Sequence, residues 1–107
     1  MARGRPAGSA VRQNIVEFLH AIGEAYGYDI YKQYLAVFPK VTMRTVYYHL
    51  RKGLETGELR IARVERQRGE YSWGPEAERV YYTTGPKAQP RGDQRVKEYL
   101  ATRKGDV

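Results

Sequence analysis

Residues 40–54 combine basic and hydrogen-bonding side chains and include no acidic residue. At about 100° per residue along a helix, Val46, Leu50 and Leu54 form one apolar stripe. The opposite side then carries the polar residues of the segment, with His49 at its margin: Arg44, Thr45, Tyr48, Arg51 and Lys52. Such a helix fits the major groove of B-DNA, where outward side chains meet base edges and phosphates. A basic face that only meets solvent is the alternative.

The individual positions of this helix match particular groups of DNA. Arg44 can pair with guanine through two donors, and Thr45 can touch a thymine methyl group or a phosphate. Tyr48 and Lys52 are better placed for phosphates, as are the backbone N–H groups left free beside a capping Thr42. We keep two further residues of the segment, Arg51 and His49, as DNA-contact candidates. For His49 the alternative is a hydrogen bond within the domain, and Tyr47 is expected to pack against the first helix or the hairpin.

A second group of arginines lies further along the chain, where Arg63, Arg66 and Arg68 stand near Glu65 and Glu70. On a β-hairpin beside a groove-binding helix, arginines cross the DNA backbone and reach the minor groove. This pattern predicts DNA contacts from the three arginines. An exposed hairpin held by internal ion pairs is the alternative.

The N-terminal Arg3-Gly4-Arg5-Pro6 resembles the core of an AT-hook, an extended segment that lies in the narrow minor groove of A·T-rich DNA. Glycine lets the backbone approach the groove floor, while the two arginines enter its strong negative potential. We therefore include Arg3 and Arg5 among the DNA-binding candidates. A disordered basic tail is the alternative, because the basic residues that usually flank the core are missing.

The composition of the 107 residues limits the classes of function. A formal net charge of +7 favours a polyanionic partner such as nucleic acid. The absence of cysteine excludes disulfides and thiol chemistry, and the two histidines, His20 and His49, lie far apart in the chain. We therefore expect no catalytic residue, no metal and no cofactor. No apolar run is long enough to cross a membrane, which predicts a cytoplasmic, nucleoid-associated protein.

Three helices are predicted before residue 57. Ser9 caps a first helix that ends near Tyr26, before Gly27, and Asp29 caps a second that ends before Pro39. Thr42 caps the third, which runs from Met43 to about Thr56. The expected inward residues of the second and third helices are Ile30, Tyr34, Leu35, Phe38, Met43, Val46, Leu50 and Leu54.

A change of period from residue 59 predicts β-structure. Leu59, Ile61 and Val64 alternate with charged residues as in a half-buried strand, and residues 80–83 form the returning strand. Residues 68–70 look like a turn. A last helix, from about Asp93 to Lys104, carries Val96, Tyr99 and Leu100; it is too short to be stable alone, so these must pack on the domain or on a second subunit.

The predicted fold is therefore α+β, a winged helix-turn-helix with a three-helix core, a β-hairpin wing and a short C-terminal helix. We expect a flexible basic arm at 1–8, a DNA-binding domain at 9–85 and a linker with a C-terminal helix at 86–107. A homodimer formed through the first and last helices is expected, since a dimer reads two half-sites.

Three stretches carry a family resemblance: residues 27–31 (GYDIY), 45–50 (TVYYHL) and 54–59 (LETGEL). Over about residues 11–83 the chain resembles the PadR branch of winged-helix regulators, and related archaeal winged-helix proteins. The resemblance implies a dimeric repressor that reads DNA with Arg44, Thr45, Tyr48 and Lys52. Gly53 departs from the pattern, because such helices usually carry leucine there. The short C-terminal helix also departs from the longer region through which that family often dimerises.

Three functions thus stay open. The first is a transcriptional regulator that binds double-stranded DNA, with an effector ligand unknown. The second is an architectural, nucleoid-type protein with little base preference. The third is a winged-helix module that binds RNA or protein. An enzyme is the least expected class, because no nucleophile–base pair or phosphate-binding glycine loop can be assembled from the sequence.

Overall fold

Four helices and a three-stranded antiparallel sheet make up residues 7–71 and 74–105, the part of the chain described by a computed structural model; side chains are described for residues 10–66 and 78–102. The elements are α1 (Ala7–Ile22), β1 (Ala25–Tyr26), α2 (Gly27–Val37), α3 (Met43–Thr56), β2 (Leu59–Tyr71), β3 (Gly74–Thr84) and α4 (Gln94–Gly105). The strand order is β1-β3-β2. Three helices, a hairpin and a short C-terminal helix confirm the predicted α+β winged-helix architecture.

The connection between α1 and α2 differs from the prediction. α1 ends at Ile22, not near Tyr26, because Gly23 turns the backbone with φ of +96°. The next residues form the two-residue strand β1, in which Ala25 pairs with Tyr82 and Tyr26 with Tyr81. A strand this short has no period of its own, so the sequence gives no sign of it.

Helix α2 begins earlier than predicted and turns a different face inward. It starts at Gly27, so Asp29 lies in the first turn and is not the cap. Ile30 and Tyr34 are buried as expected, but Leu35 is exposed and Gln33 is buried in its place. The helix ends before Phe38, whose extended backbone precedes Pro39 as predicted.

Helix α3 has the predicted bounds because both of its ends carry local signals. The Thr42 hydroxyl accepts the Thr45 N–H at 3.1 Å, and Gly57 closes the helix with φ of +87°. Val46 and Leu50 are fully buried, in agreement with the predicted stripe. Met43, predicted inward, is exposed.

Gly53, the residue that departs from the PadR pattern, lies where β2 meets α3. A Cβ atom there would come within 2.6 Å of Leu59 Cδ1, and Leu59 is itself buried. The missing side chain of Gly53 therefore makes room for the first residue of the hairpin. The same core includes Ile15, Phe18 and Leu19 of α1.

The hairpin is longer than predicted. Residues 68–70, expected to form a turn, lie within β2, and the last backbone pair is Tyr71 with Gly74. Ile61 and Val64, predicted inward, are exposed, and a bulge between Ile61 and Arg63 shifts the register of the strand between them. Of the three apolar positions predicted for this strand, only Leu59 is buried.

Helix α4 packs on the core of its own chain. Val96 is fully buried, and the Tyr99 ring meets Phe18 edge-on with centroids 6.3 Å apart. The sequence left two packing partners open for Val96, Tyr99 and Leu100, namely the domain itself or a second subunit. In the structure these residues pack on the core of their own domain.

The start of α4 is held by a buried carboxylate of α1. Glu17 accepts the backbone N–H groups of Arg91, Gly92 and Asp93 at 2.8, 2.9 and 3.2 Å, and the Gln13 amide at 2.8 Å. Burial raises the pKa of Glu17, but these hydrogen bonds outweigh it and hold the pKa below its ordinary value. The residues before α4 are thereby fixed to α1.

Candidate nucleic-acid interface

Two kinds of contact fix the inward side of α3 to the rest of the domain. Val46 and Leu50 fill the core, and a polar network joins the C-terminal half of α3 to α1. In this network Arg12 donates from Nε to Glu58 at 2.7 Å and from Nη1 to Nδ1 of His49 at 3.1 Å. Thr56 also donates to Glu58, at 2.8 Å. The outward face of α3 is therefore presented on a helix with little freedom to rotate.

His49 belongs to this inner network and not to the outward face. Only 5% of it is exposed, which corrects the expectation of a DNA contact. Burial lowers the pKa of His49, the positive charge of Arg12 lowers it further, and Glu58 opposes both. A neutral ring that accepts from Arg12 at Nδ1 carries its proton on Nε2. The helical period of the sequence places His49 at the margin of the polar face of α3. The hydrogen bond that holds its ring inside comes from Arg12, which is 37 residues away in the chain.

The outward face of α3 carries cations without internal partners. Arg44 and Arg51 are exposed, and no carboxylate among the described residues lies within ion-pair distance of either. Lys52 has one loose pair with Glu55, at 3.5 Å. Tyr48 is 49% exposed between them, and its ring meets the edge of His49 at 4.8 Å between centroids. This surface offers positive charge and hydrogen-bond donors to a ligand.

Thr42 and Thr45 form the N-terminal edge of the same face. Besides accepting the Thr45 N–H, the Thr42 hydroxyl donates to the Thr45 hydroxyl at 3.0 Å. The cap therefore fixes the Thr45 side chain beside Arg44.

Two of the three arginines predicted for the wing, Arg63 and Arg66, have described side chains, and both are engaged in ion pairs. Arg63 binds Glu24 at 2.7 Å and Glu65 at 3.2 Å, and Arg66 binds Glu78 at 3.0 Å. All of these groups are partly solvent-exposed, so each pair contributes little to stability. The hairpin thus has the internal ion pairs that were the alternative to DNA contacts. Because these pairs are weak, a DNA phosphate can replace the carboxylates as the partner of the arginines at small cost.

Three predicted contacts lie outside the described side chains. Arg3 and Arg5 precede residue 7, and for Arg68 only the backbone is described, in β2 opposite Glu76.

Sequence reasoning missed a cleft between the start of α2, α3 and β3. Its volume is about 330 Å³, and four tyrosines line it together with Gly27: Tyr26, Tyr28, Tyr47 and Tyr82. Tyr47, predicted to pack against the first helix or the hairpin, lies against Gly27 of α2 and lines the cleft with Tyr82 of β3, and 41% of it stays exposed. The only sequence signal is the frequency of tyrosine, 10 residues in the chain, which does not indicate that the rings converge.

Solved structures share this arrangement of helices and hairpin. Bacillus subtilis PadR, in complex with operator DNA, matches with a TM-score of 0.57 and 24% identity over 84% of this chain and 46% of that one. A PadR family transcription regulator from Clostridium difficile R20291 matches with 0.51 and 21% identity, over 90% and 84%. The fold is that of the PadR winged-helix regulators. This finding confirms the fold that the resemblance implied.

A third solved structure, of a transcriptional regulator from Clostridium thermocellum, matches with a TM-score of 0.50 and 20% identity over 92% of this chain and 84% of that one. The present chain spans less than half the length of the Bacillus subtilis PadR chain. No protein-family model and no curated protein matches the sequence.

Within the described residues, no group of three or more His, Asp or Glu side chains is arranged to hold a metal ion. None of the helices described there has the length and apolar character needed to cross a bilayer.

Proposed function

We propose that this protein is a transcriptional regulator that binds double-stranded DNA by inserting α3 into the major groove. One observation carries the proposal. The outward face of α3 holds exposed Arg44 and Arg51 without a described acidic partner, on a helix whose other side is fixed by Val46 and Leu50. Exposed cations with no internal partner, on a rigid helix of groove-fitting width, are suited to base edges and phosphates.

The fold supports this proposal by analogy. The Bacillus subtilis PadR structure that shares it is a complex with operator DNA. In winged-helix and other helix-turn-helix proteins, the N-terminal half of the recognition helix contacts base edges. The same docking here would bring Arg44 and Thr45 to bases. It would bring Thr42, Tyr48, Arg51 and Lys52 to phosphates.

Wing and arm complete the proposed interface. Arg63 and Arg66 would exchange their exposed ion pairs for backbone phosphates, and Arg68 is included because it lies in the same strand. Arg3 and Arg5 are included for the AT-hook resemblance of their segment.

The proposed active form is a homodimer, since two copies would read a two-fold-symmetric site. The buried residues of α4 are used within the chain. The contact between subunits would therefore rest on other surfaces of α1 and α4. Sedimentation at several concentrations tests this part separately from DNA binding.

One observation favours the architectural function as a second candidate. On the outward face of α3, only Arg44 and Thr45 are placed to read bases, whereas the remaining polar residues are suited to phosphates. A protein with few side chains in contact with base edges binds many DNA sequences with almost equal affinity. The same assay separates the two functions.

The assay is titration of a labelled duplex, with wild type and variants compared on a selected site and on random DNA at several salt concentrations. Arg44→Ala is expected to weaken binding to the selected site by about 1–3 kcal/mol and to have a smaller effect on random DNA. Lys52→Ala should weaken both about equally. Arg91→Ala removes the same charge as Arg44→Ala from the α4 side of the domain, and serves as the matched control. Equal losses for Arg44→Ala and Arg91→Ala would contradict the assignment of α3 as the reading helix.

A further inference from the structure

The tyrosine cleft, formed by Tyr26, Gly27, Tyr28, Tyr47 and Tyr82, adjoins α3 but has no part in the interface described above. It opens between the first turn of α2 and the hairpin. Tyr28 is 47% exposed and Tyr47 is 41% exposed, so a ligand can reach both rings. Such exposure of large aromatic side chains around one concave site is unusual on a surface that only meets water.

The tyrosine hydroxyls of the cleft have no protein partner. Among the described residues, none of the four forms a hydrogen bond, whereas Tyr81 donates to Glu65 and Tyr34 accepts from Asn14. No polar side-chain atom that is fully buried in the described part of the chain lacks a partner. The cleft hydroxyls are therefore open to solvent. Burial and the neighbouring Tyr26 raise the pKa of Tyr47, so its phenol stays protonated and can donate.

Gly27 allows α2 to start against Tyr47. A Cβ atom at Gly27 would lie 2.5 Å from Cε1 of Tyr47 and 2.7 Å from its hydroxyl oxygen. The Tyr47 hydroxyl is thereby brought to the first turn of α2. Tyr26 precedes that turn and makes no side-chain cap hydrogen bond.

The charges around the cleft favour an anion. The Arg79 guanidinium lies 4.8 Å from the centre of the Tyr26 ring, and Lys32 lies 5.6 Å from the Tyr28 ring. Arg51 is close enough to Tyr82 to oppose, by its charge, the rise that burial causes in the pKa of Tyr82. Glu78 also lines the cleft and pairs with Arg66 at 3.0 Å; Arg79, Lys32 and Arg51 outnumber this one carboxylate even when Arg66 turns to a phosphate.

We propose that the tyrosine cleft binds one phosphate of the DNA backbone, through the hydroxyls of Tyr47 and Tyr82 and the charges of Arg51 and Arg79. A phosphate diester presents two free oxygens that accept several donors at once, as this converging set requires. The cleft lies between α3 and the hairpin, the two elements that flank the DNA backbone when α3 occupies the groove. This inference rests on the proposed function and assigns a binding role to tyrosines that sequence analysis had assigned to packing or had not singled out.

The test uses Tyr47→Phe and Tyr82→Phe, singly and together, with the full chain and a labelled duplex. Each change removes one hydroxyl and keeps the ring, so the unfolding temperature should stay that of wild type. Loss of one hydrogen bond to a charged oxygen predicts about tenfold weaker binding for each variant, equally on selected and random duplexes. Tyr81→Phe is the matched control, because its hydroxyl binds Glu65 and not the cleft. It should bind as wild type does.

A set of duplexes, each with one phosphate replaced by an uncharged methylphosphonate, locates the contact. For wild type, one of these replacements should reduce affinity, and the Tyr47→Phe, Tyr82→Phe double variant should no longer respond to that replacement. Wild-type affinity in the double variant, or an unchanged response to every replacement, would overturn the cleft proposal while leaving DNA binding by α3 intact. Failure of wild type to bind any duplex would instead overturn the proposed function, and the cleft proposal with it.

Discussion

Replacing Glu17 by glutamine should loosen the attachment of α4 to the rest of the domain. The Oε1 atom of Glu17 accepts the N–H groups of Gly92 and Asp93, and Oε2 accepts those of Arg91 and the Gln13 amide. A glutamine has only one acceptor oxygen. Its NH₂ group would face two donors, so two of the four hydrogen bonds would be lost.

The size of the effect follows from these lost bonds. Each is a bond to a charged acceptor that is almost fully buried, worth at least about 1.5 kcal/mol. Two of them give a loss of about 3 kcal/mol in the free energy of unfolding. For a domain of this size, that corresponds to a fall of about 10–20 °C in the unfolding temperature.

Thermal unfolding followed by circular dichroism measures this loss. Glu98→Gln makes the same chemical change on the exposed face of α4, where Glu98 accepts one bond from Gln94, and should have almost no effect. The pKa of Glu17 is lower in the folded than in the unfolded chain. Its stabilisation is therefore present above pH 4.5 and is lost as the pH falls through the folded pKa. An unfolding temperature within a degree or two of wild type for Glu17→Gln would refute the reasoning.

Three further changes test other parts of the structure. The free energy of unfolding should decline as the pH falls below 6.5, because burial and Arg12 lower the pKa of His49 in the folded chain despite the opposing Glu58. Chemical unfolding at several pH values should show a weaker pH dependence for His49→Asn than for wild type. An equal pH dependence of the two proteins would contradict this assignment. Gly53→Ala should lower stability by about 1–3 kcal/mol, since the new Cβ meets Leu59, and a gain in unfolding temperature would show that helix propensity prevails. Deleting residues 1–6, which precede α1, should reduce affinity mainly for duplexes with A·T-rich flanks; an equal loss on G·C-rich flanks would mean that this segment binds DNA without base preference.

The sequence predicted α3 well because the signals that define it are local. Thr42 and Gly57 satisfy the two ends within one turn, and Val46 and Leu50 follow the helical period. The polar face opposite this stripe follows from the same period. The outward positions of Arg44 and Arg51 could therefore be predicted without a structure.

The parts that failed depend on contacts between distant residues. The length of the hairpin follows from cross-strand pairs such as Arg66 with Glu78, whereas Gly69, which lies within β2, favoured a turn in the sequence. The burial of His49 depends on Arg12 of α1, and the tyrosine cleft on residues from three elements. No single segment of the sequence has a pattern of residues that predicts contacts of this kind.

Selection from a randomised duplex library, with wild type and Arg44→Ala in parallel at several salt concentrations, tests the central claim most directly. DNA reading by α3 predicts that wild type enriches a defined motif, two-fold symmetric if the protein binds as a dimer. It also predicts that Arg44→Ala loses preference at specific positions of the motif. Tight, salt-sensitive binding without enrichment would indicate the architectural function instead. No binding to duplex DNA at moderate salt would contradict the claim.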